Sequence, residues 1–452
     1  MSIPFRRIHI VGAGGAGMSA LAKILLARGH EVSGSDLRGG ATLEALSDLG
    51  AIVFTGHNPA VAQKADLVVA SSAVPEFDEE LEAARVAGLP VWRRPQLLDA
   101  LTTKIPTLGA TGTHGKTTTT ALLVTALRAG GYDPSFVVGG EISELGTNGH
   151  LGTTDLLVIE ADEAFRTFES INLNGLVITN IEPEHLEHFG TRGDLLDSFA
   201  AVARSVEGPV LACADDEGSA TVSQRAGTST YGFSVDSDWQ LSGLIESADG
   251  LLFSLRSSEF NVDVRLPYPG RHVALNAAGA LALLAESGYD LDDASQGLAE
   301  FKGVARRWDN RGTVAGVTLV DDYAHHPTEV RATLEAARSA APGKVWAVFQ
   351  PHLYSRTERF YREFAESLRL ADEIVVTDIY GAREEPVPGI TGELIADSAI
   401  DLGATVHYVP HRVDLVSFLL PRLEDGDMVL SMGAGDITLL HGELASRLAE
   451  TS

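Results

Sequence analysis

Over the first hundred residues, short apolar runs alternate with stretches in which apolar side chains recur every three or four positions. Residues 8–11, 31–33, 52–54, 67–70 and 90–91 predict strands, and 18–28 predicts an amphipathic helix. Such alternation predicts a parallel sheet with crossover helices. A polar patch at 101–104 closes this region, and the pattern resumes with strands at 105–110, 156–159, 175–179 and 210–212 and a helix at 121–129. From 231 to 266 the rhythm changes to short alternating strands with Gly and Ser turns, which predicts an antiparallel appendage before a helix at 274–286. A third region opens near Trp308, with strands at 317–320, 345–349, 373–377 and 428–431 and helices at 327–340 and 359–370. The expected fold class is α/β, with three domains in series: a Rossmann-like domain at 1–102, a central P-loop ATPase-type domain with a small antiparallel appendage at 103–307, and a second Rossmann-like domain at 308–452. A length of 452 residues fits about three domains.

The segment 112–119 sits between a predicted strand and a predicted helix, where its glycines change the picture from fold to chemistry. Gly112, Thr113, His114, Gly115, Lys116, Thr117 and Thr118 form a phosphate cradle in its relaxed form, with Ala110 where the usual pattern starts with Gly. Backbone N–H groups and the helix dipole point at an anion, Lys116 reaches terminal phosphates, and Thr117 is placed to hold Mg²⁺. Glu160, Asp162 and Glu163 end the next strand, and His185 follows another. Thr117, Glu160 and His185 are the expected metal ligands, whereas His188 is expected to face solvent or a neighbouring loop.

A second glycine loop lies upstream. Gly12, Gly14, Gly15, Ala16 and Gly17 follow the first strand and open a helix, with Asp36 after the next strand. Alone this resembles a dinucleotide fingerprint, yet the spacing does not separate a dinucleotide from another diphosphate. In the third region, residues 321–329 (with Tyr323, His325 and His326) and 349–357 (with His352 and Arg356) are polar clusters expected at adjacent strand ends. They suit binding a carboxylate and positioning an amine. Arg306 and Arg307 are candidates for reaching phosphate.

Composition narrows the classes. A formal charge of −28 argues against nonspecific binding to nucleic acid or anionic membrane, so anionic ligands require local positive wells. The one cysteine, Cys213, excludes an intrachain disulfide framework and is expected in the core. Arg6 and Arg7 precede an apolar stretch, but four glycines and Lys23 interrupt it, so a signal peptide is not expected and the location is read as cytoplasmic.

Taken in order, these motifs resemble the Mur ligases over nearly the whole chain: 11–19, 33–36, 112–119, 160–163, 179–185, 270–272 with Asn276, Arg306 and Arg307, 321–329, 349–357 and 433–437. The resemblance implies an ATP-dependent amide ligase with Mg²⁺, joining L-alanine to the lactyl carboxylate of UDP-N-acetylmuramate through an acyl phosphate. Gly14, Gly15, Ala16, Gly17, Met18, Ser19, Asp36, Ser71, Ser72 and Arg94 would then hold the UDP-sugar, with the loop on its diphosphate. Asn276 would face adenine, Arg307 phosphate, and Tyr323, His325, His326, His352 and Arg356 the amino acid. Lys116, His185, Arg307, His325, His352 and Arg356 are the implied catalytic set, and either His325 or His352 accepts the amine proton. The resemblance implies a monomer or homodimer. Ala164, Phe165 and Arg166 stand where the family has Ser-Asp after its acidic motif, Val273 stands at a common Asn, and Leu353 stands where some members carry Arg. No lysine lies between 160 and 210, so the carbamylated lysine of later family members has no candidate, which favours the alanine-adding branch, while Tyr323 and residues 349–352 favour it over a murein tripeptide ligase. A nicotinamide-dependent oxidoreductase would leave Lys116 and the third region without a role.

Overall fold

The computed structural model of the protein describes residues 3–247, 250–382 and 384–451. Its strands build three sheets. The first contains β1 (Arg7–Val11), β2 (Glu31–Asp36), β3 (Ile52–Thr55), β4 (Leu67–Ala70) and β5 (Val91–Arg93), in the order β3-β2-β1-β4-β5. All its pairings are parallel. The order reverses between β1 and β4, where open α/β sheets offer a crevice at the carboxyl ends of their strands.

The second sheet is mixed. Its members are β6 (Thr107–Thr111), β7 (Pro134–Ile142), β8 (Thr147–His150), β9 (Thr154–Glu160), β10 (Gly175–Ile178), β11 (Val210–Cys213), β12 (Ser229–Gly232), β13 (Trp239–Ser247), β14 (Gly250–Arg256) and β15 (Asn261–Leu266), in the order β15-β14-β13-β12-β11-β10-β6-β9-β7-β8. The strands β10, β6 and β9 lie side by side and parallel, so the segments that follow them emerge at one edge. The expected antiparallel appendage begins later than residue 231, because Tyr231 belongs to β12, which pairs parallel with β11 and β13. Beyond it, β13, β14 and β15 are joined by two and four residues, connections that only antiparallel neighbours can make. In β15 exposed and buried residues strictly alternate, so one face carries Val262, Val264 and Leu266 inward.

The third sheet holds β16 (Asp309–Val314), β17 (Val317–Asp322), β18 (Val345–Phe349), β19 (Glu373–Val376), β20 (Val406–Tyr408) and β21 (Met428–Met432), ordered β16-β17-β21-β18-β19-β20. Only the β16–β17 pair is antiparallel. This order corrects one expectation: β17 and β18 are successive in the predicted pattern but not neighbours, because β21 returns to lie between them. The helix expected at 359–370 is Tyr354–Leu368, entered from Leu353 at φ 72°, a left-handed conformation that a leucine gives no sign of.

By contacts the chain separates into two compact units. One comprises residues up to Gly243 with Phe253–Arg265 and Leu275–Lys302, and the other comprises Leu244–Leu252, Leu266–Ala274 and residues from Gly303 onward. Within the first unit one core runs continuously from Ile8, Ile10 and Leu21 through Leu97, Leu98 and Leu101 to Phe168, Ile178 and Phe199. The helix Arg94–Thr102 thus ties the first sheet to the second by burial, and both glycine loops fall within this one compact unit. Cys213 is buried, and that burial pushes its thiol up to about 12, the behaviour of an inert core residue. None of the described helices is long and apolar enough to cross a membrane.

A buried polar knot lies under the first sheet. Glu80, fully buried, faces His9 Nε2 at 3.1 Å and accepts hydrogen bonds from the Ser35 hydroxyl at 2.6 Å and the Asn58 N–H at 2.8 Å. Burial alone would raise its carboxyl, but these bonds outweigh burial and hold it at about 2, below the ordinary 4.5. The unfolded chain therefore takes up this proton first as pH falls. Glu80 contributes stability above about pH 4.5, and that contribution is lost between there and about pH 2. Glu80→Gln is expected to be about 1–3 kcal/mol less stable at neutral pH. Its deficit should shrink across that acid window, as read by urea unfolding at stepped pH, and a deficit independent of pH would refute the charged role.

Candidate active site

Each strand of the first sheet delivers a polar group at its carboxyl end. After β1 the chain turns at Gly12, φ 82°, and the N–H groups of Gly12 and Ala13 both donate to the Ser35 carbonyl at 2.9 Å. Asp36, at the end of β2, accepts the Gly14 N–H at 2.9 Å, so its carboxylate braces the loop. A side chain on Gly14 would collide with that carboxylate at 2.9 Å, and one on Gly17 would meet the Arg94 guanidinium at 2.9 Å. A side chain at either position would therefore push one of these charged groups aside. Ser71 follows β4 and packs beside Gly12, while the Ser72 hydroxyl is buried without a protein partner among the described residues. Gly14, Gly15 and Asp36 line a cavity of about 320 Å³ with Arg38, Gly39 and Thr42. Met18 and Ser19 are buried in the helix Ala16–Ala27 that leaves the loop. Arg94 also approaches Asp162 at 3.8 Å, which brings the first sheet's edge to the second's.

The second cradle follows β6. Gly112 has φ 130° and Gly115 φ 81°, conformations that side-chain-bearing residues rarely adopt. The segment after β10 straps this loop from outside: Asn180 accepts the His114 N–H at 2.9 Å and returns its amide to the His114 carbonyl at 3.0 Å, and the Thr179 hydroxyl donates to that carbonyl at 2.6 Å. The Thr113 N–H donates to the Asn180 carbonyl at 2.8 Å. Thr118, the third residue of the helix Lys116–Ala129, is half-buried. Asn276 packs on the loop, its amide oxygen 2.8 Å from where a Gly115 side chain would begin.

Lys116 is drawn into the loop. Its ammonium donates to the Gly112 carbonyl at 2.6 Å, the Thr113 carbonyl at 3.1 Å and the Glu163 carboxylate at 2.8 Å. Burial would lower its pKa, but Glu163, Asp162 and Glu160 outweigh burial and hold it raised, so it is charged at neutral pH. Glu163, whose side chain is 3% exposed, is raised by burial with the Lys116 charge opposing. Its role as counter-ion escaped the reading of the sequence, although an acidic triplet ending a strand beside a phosphate loop was the available signal. Thr117 and Glu160 meet: the hydroxyl donates to the Glu160 carboxylate at 2.9 Å, and the Gly139 N–H donates to the same oxygen at 2.8 Å. This pair offers hard oxygen donors of the kind Mg²⁺ takes. His185 stands apart on the loop after β10, at φ 55°, with its Nδ1 3.6 Å from Glu187 and no hydrogen bond to Thr117 or Glu160. His188 packs tilted against Phe165, ring centres 4.6 Å apart, and so faces a neighbouring segment, one of the two placements expected for it. Phe165 and Arg166 both have positive φ, 54° and 56°, and Arg166 is paired to Glu169 at 2.8 Å, so this stretch is shaped by its own contacts.

In the second unit the aromatic and basic residues gather around Tyr323. The guanidinium carbons of Arg306 and Arg307 each lie 4.8 Å from its ring centre. The His325 ring packs edge-on to Tyr323 at 5.2 Å and to His352 at 5.9 Å, and Arg356 lies 3.4 Å from His352 Nδ1. The two clusters therefore meet although β21 separates their strands. Burial lowers His325 to about 3, with Glu329 opposing and Arg356 and Arg307 reinforcing, so its imidazole is neutral at pH 7. His326 caps the helix Pro327–Ala340 and forms a capping box with Glu329, which accounts structurally for one of the paired histidines. Asp322 accepts the N–H groups of Trp308 and Ala324, both at 2.7 Å, and burial raises its carboxyl to about 6 against the pull of Arg307.

Two glycine cradles in one unit and an aromatic, basic cluster in the other match the order of motifs in a known family. The family profile described as Mur ligase family, catalytic domain, matches residues 7–104, the Mur ligase middle domain matches 110–284, and the Mur ligase glutamate ligase domain matches 306–435. A curated UDP-N-acetylmuramate–L-alanine ligase of Saccharopolyspora erythraea is 43% identical over 99% of this chain and 94% of its own length. The chain belongs to the Mur ligase family. A second relative of the same name, from Mycobacteroides abscessus, is 42% identical over 98% of this chain and 95% of its own. Among solved structures, the UDP-N-acetylmuramate–alanine ligase of Thermotoga maritima superposes with a TM-score of 0.87 at 29% identity, covering 99% of this Mur ligase and all of that chain. A murein peptide ligase of Psychrobacter arcticus gives 0.72 at 25% identity, with 98% of each chain covered.

Proposed function

We propose that this Mur ligase joins L-alanine to the lactyl carboxylate of UDP-N-acetylmuramate at the expense of ATP, in the cytoplasmic synthesis of peptidoglycan precursors. The observation that carries the reading is 43% identity along 99% of the chain to a curated ligase of that name. The first glycine loop, Asp36, Ser71, Ser72 and Arg94 are assigned to the UDP-sugar, which replaces the dinucleotide reading of that loop. The cradle 112–118, Asn276 and Arg307 are assigned to ATP, with domain boundaries at 102/103 and 307/308. Thr117 and Glu160 would hold Mg²⁺ with His185, and the ion would supply positive charge to the phosphate oxygens.

The lactyl carboxylate attacks the γ-phosphorus, the bond to the bridging oxygen breaks, and ADP leaves an acyl phosphate behind. Lys116 offsets charge on the transferring group. The neutral amine of alanine then attacks the acyl carbon, phosphate departs, and an imidazole takes the amine proton. His325 and His352, edge-on at 5.9 Å, are the two candidates for that imidazole. Tyr323, His326 and Arg356 are assigned to the amino-acid side.

The competing reading, attachment of a preformed tripeptide, has support in the Psychrobacter arcticus likeness, but that likeness is weaker in both TM-score and identity than the alanine ligase of Thermotoga maritima. Incubation with UDP-N-acetylmuramate, ATP and Mg²⁺ is expected to release phosphate and ADP in equal amounts with L-alanine and not with L-alanyl-γ-D-glutamyl-diaminopimelate. Release with the tripeptide alone would reverse the assignment.

A further inference from the structure

The pair of strands whose first member supports the metal-side carboxylate grips, with its second, the helix that leaves the sugar-nucleotide loop. Gly139 in β7 donates its N–H to Glu160 at 2.8 Å, and β7 turns through residues 143–146 into β8. There Asn148, 8% exposed, sends its amide to the Ala16 carbonyl at 2.8 Å and the Ser19 hydroxyl at 3.2 Å, both in the first turn of the helix that leaves the first glycine loop. Lys23, one turn further along that helix, closes the contact from the other side by donating to Asn148 Oδ1 at 2.8 Å and the Thr147 hydroxyl at 3.1 Å. The two backbones touch: any side chain on Gly149 would lie 2.5 Å from the Ala20 carbonyl oxygen. A helix held this way can neither slide nor rotate without breaking buried hydrogen bonds.

We propose that Asn148 is a positioning residue for the UDP-sugar, clamping the helix Ala16–Ala27 so that its glycine loop presents a fixed cradle to the diphosphate in register with the β7–Glu160 edge. The proposal rests on the assignment of that loop to the UDP-sugar. Asn148 touches no reacting atom; it acts through Ala16 and Ser19. Lys23 supports it, since burial lowers the pKa of this ammonium with only Glu141 opposing, a penalty compensated by the two oxygens it bonds. A β-strand end reading Thr-Asn-Gly-His would otherwise be an ordinary turn, and neither glycine loop reveals the link between them.

Isothermal titration of the full chain with UDP-N-acetylmuramate, without turnover, tests this directly. Asn148→Ala is expected to bind about tenfold more weakly, the scale of one buried hydrogen bond. The affinity for a nonhydrolysable ATP analogue with Mg²⁺ should stay within about twofold. Lys23→Met, which keeps the amide donors of Asn148, should weaken sugar-nucleotide binding by only about threefold and gives the same sign should Asn148→Ala fold poorly. Binding by Asn148→Ala within twofold of the unmodified chain would overturn the proposal, as would equal losses for both nucleotides, which signify general loosening. Absence of UDP-N-acetylmuramate binding by the unmodified chain would instead overturn the assignment beneath it.

Discussion

Replacing Lys116 by Met is expected to lower amide formation by about 10²–10³-fold or more while UDP-N-acetylmuramate binding stays within about twofold. Methionine keeps the unbranched stem, so the change removes charge and donors with little loss of volume. The three oxygens that Lys116 now contacts mark two separate consequences. Catalytically, the ammonium is the side-chain charge available within the loop to meet a transferring phosphoryl group. Structurally, its loss leaves Glu163 buried beside Asp162 without a counter-ion, and an unpaired buried charge is strongly destabilising unless it takes up a proton. The two effects separate in the double variant Lys116→Met with Glu163→Gln. Thermal stability should recover there, since the buried carboxylate is gone, while activity stays low. Activity within tenfold of the unmodified chain in Lys116→Met would remove Lys116 from the phosphate-binding role, and recovery of activity with stability in the double variant would make its role purely structural.

The chemistry around this lysine was legible because three polar segments each follow an apolar run, and topology brings β10, β6 and β9 together. Sequence order alone does not show adjacency. In the third sheet the same reasoning placed β17 beside β18, whereas β21 intervenes, because nothing local to a strand encodes which partner it will find. Strands β7 and β8 were unread for a different reason. β7 carries Gly139, Gly140 and Glu141 before its last residue, and β8 reads Thr-Asn-Gly-His, so neither offers the alternation that identifies a strand. Their value lies in backbone groups and close approach: the Gly139 N–H toward Glu160 and the bare Gly149 against Ala20. Counter-ions were hidden for a third reason. Glu163 and Asp162 are equal candidates in the sequence, and burial decided that Glu163 takes Lys116 at 2.8 Å while Asp162 stays at 3.8 Å.

Glu160→Gln is the second large effect, and its signature differs from that of Lys116→Met. One Glu160 oxygen accepts hydrogen bonds from both Thr117 and Gly139, and glutamine can keep those with its carbonyl oxygen. The fold and the two nucleotide cradles are therefore expected to survive, with a melting temperature close to that of the unmodified chain. What disappears is the negative charge beside the Thr117 hydroxyl. A divalent cation held mainly by oxygen donors loses affinity steeply when a carboxylate becomes an amide, so half-saturation by Mg²⁺ should rise about 10–100-fold and turnover at ordinary Mg²⁺ should fall by a similar factor. Raising Mg²⁺ should recover part of the rate in Glu160→Gln but none in Lys116→Met, because only the former defect is one of cation binding. His185→Ala supplies the comparison, since this imidazole lies 3.6 Å from Glu187 and makes no hydrogen bond to Thr117 or Glu160. A shift in Mg²⁺ half-saturation for both variants would place all three residues around one ion. An unchanged half-saturation in Glu160→Gln would remove the carboxylate from the metal site and leave it the structural task of tying Thr117 to β7.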